Sequence, residues 1–491
     1  MNRRQPGSHR GALRKIARRA MLERGLLPDF PPKALEELSA MERSAHAWQG
    51  PRRDLRHLLW CSIDNDDSKD LDQLTVSVEM PGGMLKILVA VADVDALVKG
   101  GTAIDGHARH NTTSVYTAAE VFPMLPEGLS AGLTSLNPGA DRPAVVVEMT
   151  VAYDGSLAGS DIYPAAVRNH AKLAYNSLAA WLEGAGPVPE QVARIEGLGE
   201  NLRAQEKTAR WMKYFRHLHG ALSLETVEAS PVFEDDELKG LRAERRNPAK
   251  DIIEDFMIAA NGVTARFLES RGFPSLRRVV DKPKRWDRIV EIAAEHGRRL
   301  PEEPEARALE QFLQKEKKAD PERFPDLSLA IIKSMGPGEY IAEFPGGEAV
   351  GHFGLAVKDY THSTAPNRRY PDLVTHRLLK AAMAGGRPPY GAEELKELAA
   401  HCTEKEDAAR KVERQVGKSA AAMLFEGRIG EQFDAIVTGA SAKGTWVRLP
   451  DPPVEGRLLY GFQGADVGHR VRVQLVHTDV ERGFIDFRRA G

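Results

Sequence analysis

The chain has 491 residues, 42% of them hydrophobic and 28% charged, which suits roughly two to four globular domains and excludes a disordered or collagen-like polymer. Its two cysteines, Cys61 and Cys402, exclude a disulfide framework and a four-thiolate metal site, and fit a reducing cytoplasm. A net charge of −2 leaves any affinity for nucleic acid to a local basic surface.

The opening MNRRQPGSHRGALRKIARR is rich in arginine and has no apolar run, so it is not a secretory signal; an organellar transit peptide is the remaining targeting reading. Leu13, Ile16, Ala17, Ala20 and Met21 follow helical spacing, Pro28 and Pro31 interrupt, and Leu35, Leu38 and Met41 resume it. The spacing predicts a small helical module over residues 1–55, of a size for a helix-turn-helix with Arg14, Lys15, Arg18 and Arg19 on a phosphate backbone. A merely cationic, solvated helix is the alternative.

Short β-compatible runs follow from Leu58 to Val78 and from Met84 to Ala92. The most apolar stretch, Met84 to Val98, is broken by Lys86, Asp93 and Asp95 and is too short to span a membrane, which takes roughly 20 apolar residues. Helical patterns return between Asn169 and Gly220 and between Asp251 and Gly272, where Ile253, Phe256, Met257, Ala260, Val263 and Phe267 make one stripe. The domain over residues 56–426 is therefore read as α/β or α+β, closed by a helix from Ala392 to Phe425. After Gly427 and Gly430, five short alternating runs over residues 427–491 predict an all-β barrel of oligonucleotide-binding (OB) type.

Two clusters carry chemistry. In CSIDNDDSKDLDQ, the carboxylates of Asp64, Asp66, Asp67, Asp70 and Asp72 crowd around a single base, Lys69, between two apolar strands. Such repulsion is relieved by a hard cation: Mg²⁺ takes oxygen ligands and shares its shell among carboxylates, water and a substrate phosphate. A solvated acidic loop is the bland alternative. Farther on, HFGLAVKDYTHSTAPNRRYPDLVTHRLLK brings together His352, His362, Arg368, Arg369, Tyr370, His376 and Arg377. Arginine binds phosphate through paired hydrogen bonds and stays charged, although some of these could instead pair with Asp359 or Asp372. With no P-loop and no zinc-type spacing in the chain, an acidic metal site and an arginine loop point to phosphodiester hydrolysis.

The segments IDNDDSKDLDQ and STAPNRRYPDLVTHR resemble the two signature motifs of the catalytic (RNB) domain of the ribonuclease II/R family. ADVDALVKGGTAIDGHARHNTTSVY, FPMLPEGLSAGLTSLNP, DIIEDFMIAAN and VERQVG extend the likeness from about Leu58 to the C terminus. The resemblance implies a processive 3′→5′ exoribonuclease that hydrolyses single-stranded RNA to nucleoside 5′-monophosphates, with an RNB domain followed by an S1 barrel. It implies Mg²⁺, one ion or two, with Mn²⁺ a possible substitute. Asp64, Asp70 and Asp72 match the metal and catalytic carboxylates, with Asp72 orienting or deprotonating water, and Arg368 matches the arginine on the scissile phosphate, assisted by Arg369. Tyr116 matches the aromatic that stacks on the 3′-terminal base, and Glu254 and Glu413 match glutamates along the RNA path.

Three positions depart from the family pattern. Gln73 stands where a fourth aspartate is usual, offering a carbonyl oxygen in place of a charge. Leu224 takes the place of a second clamping aromatic, and Asn367 replaces an isoleucine. Some 55 N-terminal residues are also too few for the paired cold-shock barrels that usually precede the domain. In the barrel, Phe433, Trp446, Tyr460 and Phe462 are candidate stacking faces, with Trp446 foremost, and Lys443, Arg448, Arg457, Arg470 and Arg472 candidate phosphate contacts. A cytoplasmic monomer with single-stranded RNA as partner and no membrane association is expected. The alternative is a decayed, RNA-binding relative of the nucleases, for which Gln73 is the motive.

Overall fold

The computed structural model describes residues 8–43, 52–226, 228–244, 246–347, 349–441, 444–465 and 467–490. Helix α1 (His9–Glu23) begins where the Ser8 hydroxyl accepts from Gly11 N at 3.2 Å, and α2 (Pro32–Arg43) begins on a proline, whose missing N–H is harmless in a first turn. The two do not pack as the helix-turn-helix that their spacing suggested. The buried stripe of α1 shares a core with Ala409, Val412, Val416 and Ala420 of the long helix α12 (Ala392–Phe425), whereas Ala34 of α2 joins the main core. Glu37 of α2 caps helix α3 (Ala103–Asn111), accepting from Ala103 N at 2.8 Å and Ile104 N at 2.9 Å. Periodicity reveals an apolar stripe but not what the stripe will face. The basic face of α1 is partly spent on ion pairs, Arg18 with Asp29 and Arg19 with Glu481, leaving Arg14 and Lys15 exposed.

The centre is a seven-stranded sheet of β1 (Arg53–Asp54), β2 (Cys61–Asp64), β3 (Gln73–Glu79), β4 (Leu85–Ala92), β7 (Asp141–Val151), β8 (Leu157–Arg168) and β9 (Ala171–Ala174). Its order is β1-β8-β7-β4-β3-β2-β9; the β1–β8 and β2–β9 pairs are parallel and the rest antiparallel. The ribbon of β5 (Val115–Tyr116) and β6 (Val121–Phe122) stands apart from it. Helices α4 (Tyr175–Leu182) and α5 (Glu190–Ala193) precede α6 (Leu198–Leu218) and α7 (Pro248–Ser270), which lie side by side against the sheet. Between α6 and α7 runs the hairpin of β10 (Glu228–Glu234) and β11 (Glu237–Glu244). The strands β12 (Ser275–Val279) and β13 (Glu339–Glu343) pair beside a lobe of α8 (Trp286–Glu295), α9 (Ala306–Ala319) and α10 (Phe324–Met335), and α11 (Tyr370–Met383) leads to α12. No helix among the described residues is long and apolar enough to cross a membrane.

The five C-terminal runs form the expected strands β14 (Gln432–Ser441), β15 (Gly444–Leu449), β16 (Val454–Tyr460), β17 (Arg470–Asp479) and β18 (Phe484–Arg489), closed as β14-β15-β16-β18-β17. Ala421, Ala422 and Phe425 at the end of α12 enter its core beside Val437, Val447, Leu458 and Phe487, so the helix and the barrel are one packing unit. Arg448 pairs with Asp326 of α10, Lys333 lies 3.7 Å from Glu455 and Arg470 3.3 Å from Glu322, while Arg19 of α1 reaches Glu481. Besides α12, the barrel is thus tied to α10 and α1.

Candidate active site

The acidic loop joins neighbouring antiparallel strands, leaving β2 at Asp64 and entering β3 at Gln73. Its own carboxylates would drive it open, and backbone ties hold it. Lys172 of β9 donates to the carbonyls of Asp66 at 3.1 Å and Ser68 at 2.6 Å, Leu71 N donates to Ser135 Oγ at 3.0 Å, and Ala92 N donates to Asp72 O at 2.9 Å. Asp64 Oδ1 accepts from Asn65 N at 2.7 Å and Ser68 Oγ at 2.9 Å.

Asp72, 2% exposed, receives Asn367 N on Oδ1 at 2.9 Å and Arg368 Nε on Oδ2 at 3.1 Å. Burial nevertheless pushes its carboxyl up to about 7, against the pull of Arg368, and burial also raises Asp64. The loop that carries Asn367 and Arg368 is shaped from behind: Asp372 Oδ1 accepts from Ala365 N at 2.8 Å and Arg369 Nη2 at 2.7 Å, and Thr134 Oγ1 donates to Asn367 Oδ1 at 2.6 Å. Tyr116, 42% exposed on β5, donates from its phenol to Asp70 Oδ2 at 2.8 Å, and its backbone N–H donates to Glu413 Oε1 of α12 at 2.8 Å. Burial, and then the charge of Asp70, raise the phenol, so it stays protonated. Arg368 acts electrostatically on Asp64, Asp72 and Tyr116 together. One guanidinium therefore serves residues that the chain holds far apart.

Asp64, Asp70 and Asp72 share one electrostatic neighbourhood, Asp70 acting on both Asp64 and Asp72 and Arg368 on all three. Among the described residues no three acidic, histidine or cysteine side chains are grouped closely enough to hold a metal. The donor chemistry still fits a hard divalent cation. These carboxylates, with the buried and unpartnered Oε1 of Gln73, are an all-oxygen set, and Mg²⁺ binds through as few as one or two carboxylates plus water and substrate phosphate.

Other expected residues have other partners. Arg369 is committed to Asp372 and to Thr364 Oγ1 at 3.3 Å, which leaves it a structural part of the loop instead of an assistant to Arg368. Leu224, half-buried, packs with Leu222 against the α8–α10 core. Glu254 of α7 is paired with Arg246. Trp446 is half-buried on β15, opposite Arg457. Phe433 lies within the barrel, 5.4 Å from Phe425 and 6.3 Å from Phe487, while Tyr460 and Phe462 stay exposed. Arg448 and Arg470 are taken by Asp326 and Glu322, and Arg472 by Asp434 at 2.7 Å; Lys443 lies outside the described residues.

One residue escaped the sequence reading. Tyr175 follows Ala174, the parallel partner of Asp64, and burial together with the Asp64 charge raises its phenol. Nothing in AKLAYNSL announces this, since the neighbourhood depends on the β2–β9 register. Beside it a cleft of about 970 Å³ opens between Asp66 and Asp67 of the acidic loop, α4, the β10–β11 hairpin and the start of α7, where Lys250 lies 5.8 Å from the Tyr175 ring.

Comparison with known proteins agrees with this architecture. Residues 52–385 match the model of the RNB domain, and residues 431–490 that of the RNase II-type exonuclease C-terminal S1 domain. Ribonuclease R of Escherichia coli (strain K12) is 34% identical over 94% of this chain, which spans 60% of that relative's length. Ribonuclease R of Aquifex aeolicus (strain VF5) is 32% identical over 93% of this chain and 68% of its own. The structure of Mycoplasma genitalium RNase R in complex with ribose methylated single-stranded RNA superposes with a TM-score of 0.85, at 23% identity, over 96% of this chain and 77% of that one.

Proposed function

Because the chain belongs to the RNB-domain family, we propose that it is a divalent-metal-dependent 3′→5′ exoribonuclease that releases nucleoside 5′-monophosphates processively from single-stranded RNA. The observation that carries this reading is the convergence of buried Asp72, Arg368 and the Tyr116–Asp70 pair from distant parts of the chain. Relatives named for ribonuclease activity, and the presence of Asp64, Asp70, Asp72 and Arg368, disfavour a decayed, purely RNA-binding protein.

In this reading the terminal base stacks on the exposed ring of Tyr116, while Asp70 holds its hydroxyl and Glu413 its backbone N–H. Arg368 holds the scissile phosphate and stabilises the charge that builds on it. Asp72, held by Asn367 N and Arg368, keeps a carboxylate oxygen toward the attacking water and receives its proton. Asp64 and Asp70, with the carbonyl of Gln73, would hold the cation, Mg²⁺ in our reading with Mn²⁺ as substitute. When bound, it supplies Lewis acidity toward the phosphodiester. The barrel adds affinity through the exposed rings of Tyr460 and Phe462. The enzyme acts as a cytoplasmic monomer.

Incubating 3′-tailed RNA and the matching DNA with Mg²⁺ or with chelator tests the proposal. Mononucleotides should appear from RNA alone and only with metal. Cleavage of DNA at a similar rate, or of RNA in chelator, would contradict it.

A further inference from the structure

Helix α6 packs against β3 and α7, and its outward face is rich in bases. Its 21 residues carry five bases, Arg203, Lys207, Arg210, Lys213 and Arg216, against two acids, Glu200 and Glu206. Three of those bases are neutralised by partners: Arg210 by Glu206, Lys213 by Asp251 and Arg216 by Asp255.

Arg203 and Lys207 are different. Both are exposed, and among the described residues neither has a carboxylate within ion-pairing distance. Each lies instead over an indole, Arg203 4.6 Å from the Trp181 ring and Lys207 4.8 Å from the Trp211 ring. They stand one turn apart, about 6 Å along the axis, and Tyr214, 64% exposed, continues the same stripe about 10 Å farther on. The Tyr153 ring, 57% exposed, meets Trp211 edge-on at 5.4 Å. Cations without a carboxylate partner, beside the exposed rings of Tyr214 and Tyr153, match the two things a single-stranded polyanion offers, phosphates and base faces. An apolar protein partner would leave both cations unanswered.

We infer that the Arg203–Lys207–Tyr214 face of α6 is an auxiliary track for single-stranded RNA, taking the 5′ part of a substrate whose 3′ end is at the active site. This rests on the exoribonuclease reading and adds to it a second contact that only long substrates reach. The track supplies affinity and residence, not chemistry, so a short oligonucleotide that fills the active site gains nothing from it.

The test is equilibrium binding, in chelator at moderate salt, of labelled single-stranded RNAs of about 10 and about 40 nucleotides, to wild type and to Arg203→Glu/Lys207→Glu. The double variant should bind the long RNA about tenfold more weakly, and its slope of log affinity against log salt should be shallower by about 1.4, the value for two lost phosphate contacts on a single strand. Binding and hydrolysis of the short RNA should be unchanged, and Arg203→Lys/Lys207→Arg should restore the long-RNA affinity. Equal affinities of wild type and double variant for the long RNA would overturn the track while leaving the nuclease reading intact, provided wild type degrades both RNAs. A parallel loss for short and long RNA would overturn it too. Wild type that degrades neither RNA would instead remove the premise.

Discussion

Arg368 Nε donates to Asp72 Oδ2 at 3.1 Å, joining residues 296 positions apart in the chain. Removing the arginine should cost catalysis far more than folding. Asp72 is already pushed up to about 7 by burial, so in Arg368→Ala it can take a proton and avoid standing as an unpaired buried charge. The expected result is a fall in single-turnover rate of about 10²–10³, the usual cost of losing one stabiliser of transition-state charge, with a melting temperature within a few degrees of wild type. Arg368→Lys should recover little, because an ammonium lacks the paired donors.

Tyr116 combines a ring and a hydroxyl, and two substitutions separate them. Tyr116→Phe keeps the ring and loses only the bond to Asp70, so RNA affinity should stay within about twofold. Tyr116→Ala removes the stacking face and should weaken binding of a 3′ end by about 1–3 kcal/mol. Fluorescence titration with a short labelled RNA distinguishes the two, and equal losses would mean that the hydroxyl, not the ring, carries the contact.

The ion pair between Arg448 and Asp326, with side chains 17% and 8% exposed, makes Arg448 a docking residue. Arg448→Ala should destabilise the barrel's seat by about 3 kcal/mol, as expected when one partner of a buried pair is left behind. Arg448→Met/Asp326→Leu should cost much less. The salt dependence of RNA binding should not change in either variant; a shallower slope would return Arg448 to the phosphate contacts.

His107, 4% exposed and tilted against Phe30 with ring centroids 4.3 Å apart, is held by burial down to about 4. The unfolded chain takes up its proton near pH 6.5 and the folded one only near 4, so this contribution is complete above pH 6.5 and is lost as the pH falls toward 4. The loss amounts to something on the order of 3 kcal/mol. Asp255, raised by burial to about 6, acts in the opposite sense, so the informative quantity is a difference. Urea midpoints at pH 7.5 and 5 should fall farther for wild type than for His107→Leu, and equal falls would count against a buried neutral imidazole.

The barrel was legible because Ala435, Val437, Val447 and Leu449 alternate with solvated positions between turn glycines, a local signal that tertiary contacts do not override. The acidic loop was legible because repulsion among its aspartates demands a compensating partner. What could not be read was the identity of the long-range partners. Asp72 receives Asn367 N and Arg368, Leu224 packs on an apolar lobe, Arg448 meets Asp326, and α1 meets α12, and each choice depends on register between segments distant in sequence. Asn367 looked like a bare departure from the family pattern. Its backbone N–H proves to be one of the two donors to Asp72, a role that any residue but proline could fill.

The central claim is that Asp72 performs the chemistry in a site that binds RNA without it. Asp72→Asn removes the charge and keeps one acceptor oxygen, enough for Asn367 N or for Arg368 Nε but not for both, so its rate of mononucleotide release, measured beside its affinity for the same 3′-tailed RNA, is the direct test. The rate should fall by about 10² or more, in line with the loss of an acid–base group, at an RNA affinity within about threefold of wild type. A variant that degrades RNA at the wild-type rate would contradict it.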